Sequence, residues 1–111
     1  MTAIGHTPYA GDAADASVNP LARAAALIEE HGWCQGGFYD EEGRLCMDFA
    51  LLTADATSNE RARRLVVDEL RRRGFPERSV VQWNDAPGRS QLEVAAVLRA
   101  AASRWDGGAY R

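Results

Sequence analysis

Lysine is absent from this chain of 111 residues, and all thirteen basic side chains are arginine. Alanine is abundant as well, so the bias reads as the codon usage of a high-GC bacterial genome, and the arginine excess alone does not indicate phosphate recognition. Cysteine is scarce. Cys34 and Cys46 are too few for a disulfide framework and fit a compartment that keeps thiols reduced. Long apolar runs are missing, and nothing approaches the roughly 20 residues needed to span a bilayer. The N-terminus has neither a basic cluster nor a hydrophobic segment of the secretory kind. These absences lead to the expectation of a cytoplasmic protein with no membrane partner. A net charge of −3 and a pI near 5.3 disfavour general binding to polyanions, so no nucleic-acid partner is expected.

What is present is an ordinary globular composition, 46% hydrophobic and 26% charged, at the size of one domain. Residues 1–18 have no apolar period and read as a disordered or loosely docked tail. Residues 19–106 read as a single globular domain, and 107–111 as a flexible C-terminus. Asn19-Pro20 has N-cap and first-turn chemistry, and Leu21, Ala24, Ala25 and Ile28 recur at helical spacing before Gly32. The spacing predicts a helix over Pro20 to His31. From Trp33 to Leu45 aromatics flank Gly36-Gly37 and a polar turn, giving an irregular hairpin or a loop with short extended arms. Cys46 to Ala56 suits a buried helix, with a buried strand as the alternative. Thr57-x-x-Glu60 and Ser90-x-x-Glu93 are capping boxes opening two further helices. Val80-Val81-Gln82-Trp83 reads as a short strand. The fold class expected is therefore α+β and mostly helical, with about four helices, a short irregular hairpin and one strand near Val80–Trp83.

No motif specifies a reaction. His31 and Cys34 are three positions apart, but they follow a helix C-terminus, whose dipole disfavours a thiolate. Cys34, Cys46, His31 and Asp48 lack the paired spacing of a metal site, so neither a metal nor another cofactor is expected. Gly36-Gly37 is followed by aromatics, not by a helix start with Lys-Ser/Thr, and so is not a phosphate loop. Arg71-Arg72-Arg73, with Arg61, Arg63 and Arg64, wraps around its helix among acidic residues and reads as a solvated face. The stretch from Trp83-Asn84-Asp85 to Arg89 is the most unusual. Asn and Asp beside Trp suit a ligand site, yet they also suit turns and caps.

Trp33-Cys34-Gln35-Gly36, the Cys-led apolar segment at Cys46, and Trp83-Asn84-Asp85-Ala86-Pro87-Gly88-Arg89 with Glu93-Val94 together resemble an uncharacterised family of short bacterial proteins, a domain of unknown function. The resemblance covers about Leu21 to Ala101. It implies no reaction; it implies that Trp33, Gln35, Cys46, Trp83, Asn84 and Asp85 belong to one structural unit. This chain departs from the family pattern at Asp48-Phe49, where Phe49 stands in place of a small Gly. A glycine inside a helix marks a close approach, which Phe49 would fill.

Two functions remain open at this point. One is an accessory module binding a small molecule or a partner protein, with Trp33, Gln35, Trp83, Asn84 and Asp85 as the contact surface. The other is a small tailoring enzyme of bacterial secondary metabolism. There Asp85 or Asp48 would be the general acid/base, Arg89 would hold an anionic group, and Cys34 would be a further candidate nucleophile. The oligomeric state is not legible.

Overall fold

A computed structural model of the chain describes residues 19–55 and 59–106. The expected N-terminal tail, the flexible C-terminus and the Thr57 capping position lie outside the described residues. Five helices follow one another: α1 (Pro20–His31), α2 (Met47–Ala54), α3 (Asn59–Arg72), α4 (Val80–Asp85) and α5 (Gln91–Ala102).

The helix boundaries follow from local chemistry. At the start of α1, Asn19 Oδ1 accepts from the backbone N–H groups of Leu21 and Ala22, both at 3.2 Å, and Pro20 occupies the first turn. Gly32 ends α1 with φ near +98°, where a Cβ would stand 2.6 Å from Arg44 Cγ. Ser90 Oγ accepts from Glu93 N at 3.2 Å and opens α5. Cys46 caps α2 through its sulfur, which accepts from Phe49 N at 3.3 Å. No N-cap preference singles cysteine out for that position.

Val80–Trp83, expected as a strand, is the body of α4. The β-branched pair Val80-Val81 suggests extension, but Ser79 and Gln82 form an N-terminal cap that decides otherwise. Ser79 Oγ accepts from Gln82 N at 3.1 Å, and Gln82 Oε1 accepts from Arg78 N at 3.0 Å. The helix count therefore rises from about four to five. The irregular hairpin survives only as a loop with two isolated bridges, Trp33 with Leu45 and Tyr39 with Leu45. The fold is thus mostly helical with almost no strand.

α1 lies at the centre, packed against α5 and α2, while α5 also packs on α3. The core joins the apolar stripe of α1 to Met47 and Leu51 of α2, Val66 and Leu70 of α3, Trp83 of α4, and Val94, Val97 and Leu98 of α5. Trp83 is fully buried, and removing its side chain from water contributes on the order of 5 kcal/mol before entropy is charged. Among the described residues, no helix is long and apolar enough to cross a membrane.

Candidate functional site

The loop 33–46 and the short helix α4 meet at one residue. Asn84 is 1% exposed and uses its whole side-chain capacity there. Its Oδ1 accepts from Trp33 Nε1 at 2.7 Å and from Met47 N at 2.9 Å. Its Nδ2 donates to Cys34 O at 3.1 Å and to Asp85 Oδ1 at 3.0 Å. One amide thus holds the start of the loop, the first N–H of α2 and the end of α4 together.

A helix of six residues does not persist alone, and its terminal carbonyls need partners. Gln35 Nε2 supplies two bonds, to Asn84 O and to Ala86 O, each at 2.9 Å. Arg89 Nε donates to Trp83 O at 2.9 Å. The Arg89 guanidinium also lies 4.4 Å from the centre of the Trp83 ring and 4.6 Å from that of Phe75, with Glu77 and Glu93 at 3.6 and 3.8 Å. Both acids that pair with Arg89 come from outside α4. Asp85 turns the other way, and its Oδ1 accepts from Gly36 N at 3.0 Å.

The six residues grouped by the resemblance therefore do sit together. Trp33, Gln35, Asn84 and Asp85 are linked by the bonds above, Trp83 is buried next to Asn84 in α4, and Cys46 faces the same cleft as Asn84 and Asp85. That cleft holds about 170 Å³, with Gly36 and Gly37 on one side and Val81 and Asp85 on the other. Trp83 shows no surface to it, having none exposed.

Asp48 belongs to another contact. It is 7% exposed, and the guanidinium of Arg63 grips it with both arms, Nε on Oδ1 and Nη2 on Oδ2, the latter at 3.1 Å. That hydrogen bond raises the Arg63 guanidinium further above its ordinary value. Cys34 is buried, and its Sγ donates to Arg44 O at 3.3 Å. Burial first, and the Asp40 carboxylate second, push the Cys34 thiol up to about 11. Burial raises the Cys46 thiol too. Both sulfurs are free thiols. At neutral pH Cys34 is held in the protonated form, the opposite of what an activated nucleophile needs. Among the described residues no group of His, Cys, Asp and Glu is placed to hold a metal ion.

Sequence reasoning missed the aromatic surface beside the cleft. Phe38 and Tyr39 are 51% and 59% exposed, and both pack on Phe49 with ring centroids 5.4 Å apart. Phe49, on α2, forms the base of this patch. The available signal was the adjacent pair Phe38-Tyr39 in a loop bounded by glycines and acids, where no helix or sheet could bury both rings. Behind it, Asp40 organises a tight acidic turn: Oδ1 accepts from Glu42 N and Arg44 N at 3.0 and 2.9 Å, and Arg44 Nε donates to Oδ2 at 2.6 Å.

No curated protein and no solved structure matches the chain. A family model described as a family of unknown function, DUF6197, matches residues 13–104. The extent of that match, spanning the whole Asn84-centred unit, places the chain in this family.

Proposed function

We propose that the chain is a non-catalytic module that binds a partner protein through the Phe38–Tyr39 surface and the cleft beside it. The observation that carries this reading is a division of labour. The polar groups flanking the tryptophans are engaged inside the fold, while Phe38 and Val81 stand exposed on the cleft and Tyr39 is exposed beside Phe38. Exposed rings clustered at a concavity are the usual anchor points of recognition surfaces. A volume near 170 Å³ has room for one side chain but falls below the roughly 300 Å³ at which drug-sized ligand sites begin. Asp85 on the wall and the exposed Glu41 of the neighbouring turn give the patch an acidic character. The partner segment that fits presents one apolar side chain next to an arginine or lysine.

Selection from a random peptide library on the immobilised protein tests this. Enrichment of an apolar-plus-basic motif is expected, with amide shifts at Gly36, Gly37 and Val81. Phe38→Ala with Tyr39→Ala should lose the binding and lower the melting temperature only modestly, since each residue is a little over half exposed. Failure to enrich, or binding that survives the double substitution, removes the proposal.

The acid/base reading has less support. Asp48 is held by Arg63, Asp85 accepts two internal hydrogen bonds, and Cys34 is kept as a thiol. The bacterial cytoplasm as the setting is part of the same proposal and rests on composition alone.

A further inference from the structure

A second cleft lies between α3 and the segment that leads into α4, separate from the aromatic patch, with a volume near 300 Å³. Arg63, Arg64 and Arg78 line it, with the half-buried Val67 as the apolar wall and Val80, 2% exposed, at its floor. Arg63 is neutralised by Asp48. Arg64 and Arg78 are exposed and have no carboxylate partner among the described residues, although elsewhere on the chain arginines are repeatedly paired with acids. Glu60 contributes the one carboxylate on the cleft wall. Counting Asp48 with Arg63, the local balance is about +1, three cations against two anions, in a chain whose net charge is −3. Three arginines brought to one cleft with a single carboxylate on its wall favour an anion between them.

We infer that this cleft binds a small organic oxyanion, a phosphomonoester group carrying an apolar body. Arginine forks match the tetrahedral oxyanion with paired N–H donors, and Val67 takes the apolar part. Asp48 has a role here: by gripping Arg63 it fixes one wall, leaving Arg64 and Arg78 to close on the ligand. The recognised group can be free in solution or presented as a lipid headgroup, and the two sources separate experimentally.

Phenyl phosphate is the soluble probe, titrated at low salt against the uniformly labelled full chain, with phenol as the control lacking the anion. Saturable amide shifts centred on Val67, Ser79 and Val80 are expected with phenyl phosphate and not with phenol. Arg64→Gln with Arg78→Gln should weaken binding by at least about tenfold, since each lost charge-assisted contact is a large part of a small ligand's affinity. Their exposure predicts an unchanged melting temperature. In the second arm the protein is sedimented with phosphatidylcholine vesicles with and without phosphatidic acid. Binding in either arm that depends on Arg64 and Arg78 upholds the site and identifies its source. Shifts spread equally over Arg71, Arg72 and Arg73, binding that survives the double substitution, or no saturable binding in either arm overturns it.

Discussion

Asn84 is the residue on which the loop, α2 and α4 all depend. Replacing it with leucine keeps much of its volume but leaves Trp33 Nε1–H, Met47 N–H and Cys34 C=O without partners. At roughly 1–3 kcal/mol for each buried unpaired group, Asn84→Leu should cost about 4 kcal/mol. That is a large share of the roughly 5–15 kcal/mol available to a domain. Asn84→Asp retains both acceptor bonds at Oδ1 but loses the donor to Cys34 O and sets a second carboxylate beside Asp85, so its cost should be intermediate. Urea denaturation checks both. A Leu variant within about 1 kcal/mol of the parent, on the scale of one net hydrogen bond, would refute the central role. The importance of Asn84 was only partly legible. The sequence marks Trp-Asn-Asp as unusual, but three of the four Asn84 partners lie 37 to 51 residues away and no local pattern encodes them.

At the scale of elements, what was legible depended on whether the deciding contacts were local. α1 was readable from Pro20 to His31 because its cap, its apolar spacing and its terminal glycine are contiguous in sequence. The start of α5 was readable for the same reason, since Ser90-x-x-Glu93 is local. α4 was misread because two β-branched residues outweighed the Ser79-x-x-Gln82 cap in a segment too short for helical periodicity to show. Removing that cap with Ser79→Ala should destabilise the protein by about 1 kcal/mol. Because α4 also carries Asn84, the amide protons of Trp83 and Asp85 should exchange faster in this variant, by hydrogen-exchange measurement. Unchanged protection there would mean that Gln35 and Arg89 alone hold the helix. The aromatic patch was legible only as an adjacent pair of rings in a loop: nothing in Phe38-Tyr39 announces that a ring on α2 will meet both of them.

Across the whole molecule, segments distant in sequence are tied by ion pairs and by a neutral cap. Glu69 of α3 is 6% exposed and accepts from Arg73 Nε at 2.6 Å and from Arg104 Nη1, beyond the end of α5, at 2.8 Å. Its hydrogen bond with Arg73, against an opposing desolvation, and then that with Arg104, hold the Glu69 carboxyl below its ordinary value of 4.5. A carboxyl depressed in the folded state stabilises the fold fully above that ordinary value, and the contribution is lost as pH falls through the folded value. Melting temperatures recorded from pH 7 down to 3 should fall steeply below about pH 4.5. Glu69→Gln should melt lower at neutral pH and show a shallower acid slope. An identical slope would assign the acid sensitivity to other carboxylates. A second long connection is neutral. The Asn19 side chain that caps α1 also donates from Nδ2 to Ala102 O at 3.0 Å, at the end of α5. The first and last helices therefore close on each other, and the path of the domain is nearly a ring. Anything fused before Asn19 departs beside the last turn of α5, so cargo grafted at that end and cargo grafted just beyond α5 would hang from one attachment point.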